Sequence, residues 1–373
     1  MNGLSTPRLA RIDWRILSVL MVLSGLSVLF VYSAGYDPSR GIYIAFWKKQ
    51  LMWILISAGI LALMLRVPYR VMLDHAWLVF GAGILALVFV MFAGTVINGA
   101  RRWVNLGFTL LQPSEFMKVV LILALARLIR WQDDYKKLRG LVKPFAVTLF
   151  PMALILKQPD LGTAILFLPI LFVMLWLAGA RAKHLALVML MGIICLPIIY
   201  LGFLKDYQRN RVDAFLFQSS ARGEKMSQDE AYHMIRSKIA VGSGGVTGKG
   251  LMEGAQQVPY NETDFIFTVV AEEWGFLGSM LVLGLYLVLL LLVADVAVTT
   301  TEPSGKLLAG GVFTLLFVQI AVNVGMTVGL APITGLTLPF LSYGGSSLLS
   351  LTLAIGLVLN VKLYPDFVFK RDL

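Results

Sequence analysis

Residues 265–293 read FIFTVVAEEWGFLGSMLVLGLYLVLLLLV, and the only charges in this stretch are Glu272 and Glu273. A helix rises 1.5 Å per residue, and about 20 apolar residues cross the hydrocarbon core of a bilayer. A helix on the surface of a soluble protein keeps one polar face; this one has none. It reads as a membrane span. Working outward, similar apolar runs fall near 14–34, 47–65, 76–95, 113–130, 143–157, 161–179, 184–204, 307–329 and 343–361. The predicted fold is therefore all-α: a polytopic membrane protein of about ten helices, a single domain over 1–373. No internal repeat and no interrupted helix is legible.

Composition agrees. Hydrophobic residues make up 58% of the chain and charged residues 14%, against about 45–50% and about 25% in soluble domains. The net charge of +11 follows from Lys and Arg in the loops, so no nucleic-acid partner is implied. Cys195 is the only cysteine, which excludes an intrachain disulfide. The first run has full span length and no small-residue cleavage site, and reads as a helix instead of a leader. With the N-terminus inside, the inner segments collect Arg8, Arg11, Arg15, Arg66, Arg70, Arg127, Arg130, Lys136, Lys137, Arg139 and Lys143, among others. The short outer loops hold only Arg40, Lys48, Lys49, Arg101, Arg102 and Lys157. Positive charge stays inside, so both termini are expected in the cytoplasm. Between the seventh and eighth spans, residues 205–264 form a large polar extracytoplasmic loop. Within it Tyr232, Ile235 and Ile239 recur at helical spacing beside Arg236 and Lys238, which predicts a short helix at the membrane surface.

Ionisable groups inside spans cost roughly 2.5–3.5 kcal/mol each on insertion scales, so each needs a reason. Glu115 and Lys118 are three residues apart and share a helical face; they form either a structural ion pair or the wall of a polar cavity. Asp160 opens the sixth span, where an acidic residue also serves as a cap. Asp264 stands where the long loop enters the eighth span, at the outer boundary; as an N-cap it would be ordinary, and as a reactive carboxylate it would meet a lipid headgroup. Two patterns are decoys. Gly242-Ser243-Gly244-Gly245 and Gly248-Lys249-Gly250 resemble a phosphate loop, but Ser243 and Gly250 stand where that motif needs Gly and Ser or Thr. No nucleotide is implied. His75, His184 and His233 are scattered, so no zinc-type pair exists.

Several strings together resemble the shape, elongation, division and sporulation (SEDS) family of bacterial membrane glycosyltransferases. They are Gly99-Ala100-Arg101-Arg102-Trp103, Gln112-Pro113-Ser114-Glu115, Gln158-Pro159-Asp160-Leu161-Gly162-Thr163, Gly242-Ser243-Gly244-Gly245 and Thr263-Asp264-Phe265-Ile266-Phe267. Ala271-Glu272-Glu273, Asn323, Pro332 and Ser342-Tyr343-Gly344-Gly345-Ser346-Ser347 continue the series. They run in order from the third span to the last. Asp206-Tyr207-Gln208-Arg209 and Ser237-Lys238-Ile239-Ala240 resemble the elongation branch more than the division branch. Two departures stand out: Glu262, where the family usually has His, and Trp274, where it has Leu.

The resemblance implies polymerisation of lipid II, the undecaprenyl-pyrophosphoryl disaccharide-pentapeptide, into β-1,4-linked glycan on the outer face of the cytoplasmic membrane, for cell elongation and rod shape. Asp264 would be the general base. The pyrophosphate leaving group would be met by Arg101, Arg102, Arg209, Arg211, Lys238 and Lys249, with Mg²⁺ or Mn²⁺ as a candidate helper of unassigned ligands. Glu115, Lys118, Asp160 and Ser342 would line the cavity. Expected partners are lipid II, undecaprenyl-linked nascent glycan, a class B penicillin-binding protein and other elongation-complex membrane proteins. A lipid II flippase and a non-catalytic scaffold for the transpeptidase are the alternatives.

Overall fold

The computed structural model describes residues 12–37, 42–97, 100–107, 109–130, 134–202, 209, 212–213, 215, 228–254 and 258–365. Its helices are, in order, α1 (Trp14–Ala34), α2 (Phe46–Met64), the short α3 (Tyr69–Asp74), α4 (Ala76–Ala93), α5 (Pro113–Ile129) and α6 (Val142–Lys157). They continue with α7 (Leu161–Leu177), α8 (Ala182–Gly202), α9 (Gln228–Ser243), α10 (Ile266–Thr299), α11 (Pro303–Val328) and α12 (Gly345–Leu363). Every predicted apolar run lies on a helix, and α9 is the helix expected within the polar loop. Among the described residues, 7 helices are long and apolar enough to cross a membrane: α1, α2, α4, α6 with the turn before it, α10, α11 and α12. With 17 residues each, α5 and α7 span only about 25 Å, short of the roughly 30 Å hydrocarbon core.

Local chemistry sets the ends. Glu302 caps α11, accepting from the Gly305 amide at 2.6 Å, with Pro303 in the first turn. Gly329, at φ +81°, closes it in the left-handed conformation that glycine adopts without strain. Asp13 caps α1 and ties it to α12: its carboxylate accepts from Arg15 at 3.1 Å and from Lys362 at 2.5 Å. Burial pushes the Asp13 carboxyl up, but Arg15 and Lys362 outweigh that and hold it at about 2. A depressed carboxyl stabilises the fold above its unfolded value and loses that contribution as pH falls through its folded value. Asp13→Asn is therefore expected to cost about 1–2 kcal/mol at neutral pH, the lower part of the range because Arg15 is 63% exposed. The difference should shrink as pH falls and vanish only below about 2. Thermal unfolding in detergent measures both; an equal gap at every pH would contradict the assignment.

The inner layer is α11 and α12. α11 packs on α10, α7, α5 and α12, while α12 also packs on α2 and α5. Gly310 and Gly311 bring α11 close to its neighbours; a Cβ at Gly310 would sit 2.1 Å from Leu177, and one at Gly311 2.9 Å from Ile122. Small residues at such contacts let helices approach where lipid supplies no hydrophobic drive. α4 is peripheral, with Leu78, Leu85 and Phe92 exposed, as suits a lipid-facing helix.

Two features depart from the all-α reading. Short antiparallel strands, β1 (Tyr36–Asp37), β2 (Ile42–Tyr43), β3 (Thr95–Ile97), β4 (Ala100–Asn105) and β5 (Leu110–Leu111), pair as β1–β2 and β3–β4–β5. They mark one end of the bundle, called here the hairpin end. The second is a break: α10 is interrupted at Gly275, which sits at φ +65° and ψ −158°.

Candidate active site

Between α11 and α12 the chain runs irregularly through residues 330–344, yet Ile333, Leu336, Leu338, Phe340, Leu341 and Ser342 are all buried. Irregular backbone at membrane depth survives only where its polar groups find partners in the protein. Here side chains supply them. Asn323 and Gln319 of α11 donate to the Leu336 and Thr337 carbonyls at 2.5 and 2.9 Å. Tyr286 of α10 donates to the Pro339 carbonyl at 2.7 Å, and Ser27 of α1 to the Leu341 carbonyl at 2.7 Å. Gln50 of α2 donates to the Ser342 carbonyl at 3.2 Å and to Ser27 at 2.8 Å.

Against this segment lies the stretch that leads into α10. The Ser342 hydroxyl donates to the Thr263 carbonyl at 2.6 Å and accepts from the Leu338 amide at 2.7 Å. The Tyr343 amide donates to the Glu262 carbonyl at 2.8 Å, and Asn323 donates to the Asp264 carbonyl at 2.9 Å. Asp264 is half-buried just before α10, and Gly335, at φ +74°, faces it. A Cβ on Gly335 would stand 3.5 Å from Asp264 Oδ2. Glycine thus leaves the carboxylate an open flank. Burial pushes the neighbouring Glu262 carboxyl above its usual range. His233 of α9 lies against Phe265 and Tyr260, its ring centre 6.4 and 6.0 Å from theirs.

A polar column continues inward from there. Thr337 contacts the Ser347 hydroxyl at 2.7 Å and accepts from Gln319 at 3.2 Å. Lys118 donates to Gln319 at 3.5 Å and to Glu115 at 2.8 Å, and Ser350 reaches Glu115 at 3.3 Å. Glu115 and Lys118 are both buried, on the shared face that their spacing predicts. Asp160 caps α7 through the Thr163 amide at 3.2 Å and also accepts from Gln112 and Ser114, at 2.9 and 2.8 Å. The cap and the network are one carboxylate's work. The Gln112 amide reaches Ser346 at 3.0 Å, and Gly162 lies so close to the Thr334 carbonyl that a Cβ would meet it at 2.4 Å. Motifs far apart in the chain converge on the 330–350 stretch.

The candidate cations are dispersed. Arg101 and Arg102 lie on β4, Arg101 exposed and reaching the Phe92 carbonyl at 3.4 Å. Lys238 is exposed on α9. Arg209 donates to the Tyr200 carbonyl at 3.0 Å. Lys249 departs from the expected role of an open cation: it pairs with Glu272 at 2.6 Å. Arg211 lies outside the described residues.

The decoy glycines have a structural task. The break at Gly275 leaves backbone groups of α10 without helical partners, and the 244–250 loop supplies them. The Lys249 and Gly250 amides donate to the Glu272 and Glu273 carbonyls, each at 3.0 Å. The Phe276 and Leu277 amides donate to the Gly245 and Val246 carbonyls at 2.9 and 3.1 Å. A Cβ on Gly244 would fall 1.9 Å from the Ala271 carbonyl, and one on Gly248 2.1 Å from that of Glu273. Only glycine permits so close a clasp. Within it Glu273 accepts from Ser33 and from the Met252 amide, which gives this buried acid its reason.

Residues 13–366 match the model of the FtsW/RodA/SpoVE cell cycle protein family. The chain belongs to this family. Peptidoglycan glycosyltransferase RodA of Treponema pallidum is 30% identical over 429 residues, covering 94% of this chain and 97% of that one. A probable peptidoglycan glycosyltransferase FtsW of Geobacter sulfurreducens is 37% identical over 372 residues, covering 96% and 97%. Among solved structures, a chain from a peptidoglycan synthase complex that coordinates polymerisation and crosslinking superposes with a TM-score of 0.83 at 31% identity, covering 95% and 99%. Within the family frame, Ser27, Gln50, Tyr286 and Gln319 are the residues that sequence reasoning passed over. Their signal was a hydrogen-bonding side chain in an apolar run without a charge to draw attention.

Proposed function

We propose that the chain is a peptidoglycan glycosyltransferase of the elongation type, polymerising lipid II on the outer face of the cytoplasmic membrane. The observation that carries this reading is the half-buried Asp264 at the head of α10, with Gly335 leaving space beside its carboxylate. The acceptor sugar's 4-hydroxyl attacks the anomeric carbon of the pyrophosphate-linked donor. The new C–O bond forms as the bond to pyrophosphate breaks, and the hydroxyl proton passes to Asp264 as general base. Single displacement inverts the anomeric centre and gives the β-1,4 link. Charge that develops on the departing pyrophosphate calls for cations; Arg101, Arg102 and Lys238 on the hairpin end are the residues we assign, with Arg209 as a further member.

In this reading the hairpin end is extracytoplasmic and both termini are cytoplasmic, in keeping with the distribution of Lys and Arg. Among the described residues no group of three or more His, Cys, Asp or Glu gathers to hold a metal ion. Mg²⁺ or Mn²⁺ on the pyrophosphate would need only one or two carboxylates beside the phosphates, so a chelator arm belongs in the assay. A class B penicillin-binding protein is the proposed partner, in keeping with the synthase complex whose chain this one resembles.

The test uses purified protein in detergent, where there is no second compartment, with lipid II and with or without chelator. Polymer is the expected product. Lipid II movement between leaflets of proteoliposomes with no polymer formed would point to a flippase instead.

A further inference from the structure

We infer that Asn323 is a positioning residue for the transfer reaction, setting where the carboxylate of Asp264 stands against Gly335. The inference rests on the reading of Asp264 as the base. Asn323 is fully buried in α11. Its amide nitrogen donates both hydrogens to backbone carbonyls of two different segments, Asp264 at 2.9 Å and Leu336 at 2.5 Å. One partner is the base's own peptide unit. The other adjoins Gly335, the residue that faces the base's Oδ2. A single planar amide therefore fixes both sides of the gap in which the carboxylate sits.

The geometry also fixes the amide's orientation. Turned over, its oxygen would face two carbonyl oxygens, so the nitrogen belongs where it stands. The consequence is that Asn323 Oδ1 is buried with no partner among the described residues. Buried acceptors are rarely left so, and an Asn used only to fill space has no reason to accept that penalty. Leucine has nearly the same shape without it. Reacting groups displaced by about 1 Å lose on the order of 10²-fold in rate, so a bracket across this gap acts on turnover more than on affinity.

The experiment compares wild type with Asn323→Leu, Asn323→Gln and Asp264→Asn. Lipid II polymerisation, lipid II binding and thermal unfolding are measured for each in one detergent. Asn323→Leu is expected to lower turnover at saturating lipid II by about 10–100-fold and to leave lipid II binding within about two-fold. Asn323→Gln keeps both donors on a side chain one methylene longer, and is expected to recover stability but only part of the turnover. A folded Asn323→Leu protein at wild-type turnover overturns the inference, and so does a loss of binding equal to the loss of turnover. If the leucine variant does not fold, the glutamine variant decides: full turnover there overturns the inference, and stability regained without turnover supports it. Full activity in Asp264→Asn would remove the base reading itself. An inactive Asp264→Asn beside a fully active Asn323→Leu removes only the positioning role.

Discussion

Asp264→Asn is expected to lower lipid II polymerisation by about 10²–10⁴-fold, the usual contribution of a positioned general base, while the protein stays folded. The amide is nearly isosteric with the carboxylate. The hydrogen bond that Asn323 makes at this position goes to the backbone carbonyl, so it survives the change. What is lost is a site to take up the hydroxyl proton. Two measurements check this together: the polymerisation rate and the thermal unfolding midpoint of the same preparation. Full-rate synthesis by folded Asp264→Asn would falsify the proposed chemistry.

The second large effect concerns the buried ion pair. Lys118 is fully buried, and its ammonium sits 2.8 Å from Glu115. Lys118→Met removes the cation and leaves the carboxylate with the Ser350 hydroxyl at 3.3 Å. Breaking a buried pair from one side costs about 3–5 kcal/mol, whereas replacing both partners with neutral groups is often close to neutral. The single variant should therefore unfold far more readily than the double variant Glu115→Gln/Lys118→Met. Chemical or thermal unfolding in detergent reads the order. Activity should fall even in the double variant, because Lys118 also holds Gln319 at 3.5 Å and Gln319 holds the Thr337 carbonyl. A single variant as stable as wild type would mean the pair is not what holds α5 in place.

Much of this was legible beforehand, and unevenly so. Apolar runs on helices of 16–34 residues cannot hide, because hydrocarbon demands them, and the run positions match the helices closely. The i,i+3 contact of Glu115 with Lys118 and the Asp160 cap follow from helical geometry alone. The hairpin at 95–105 was missed although Asn98-Gly99, a strong two-residue turn signal, stands between Ile97 and Ala100. Strands of three and six residues leave no long apolar run to read. Gly275 gave no warning either. Glycine is common in membrane helices, and only the distant 244–250 loop shows that this one marks a break. The caps of the 330–344 stretch were the hardest to read. Whether Gln50 or Tyr286 meets lipid or a carbonyl depends on contacts 292 and 53 residues away along the chain, which no local pattern records.

The wall formed by residues 330–344 has a mechanical consequence. Its carbonyls are pinned by side chains from α1, α2, α10 and α11 at once. Sliding any of these helices by more than about an ångström would strip a carbonyl of its donor in a medium that offers no substitute, at roughly 1–3 kcal/mol for each bond lost. This side of the bundle is thus the stiff one. In the proposed reaction, whatever flexing admits a long-tailed substrate has its cheapest route at peripheral helices such as α4, whose Leu78, Leu85 and Phe92 are exposed.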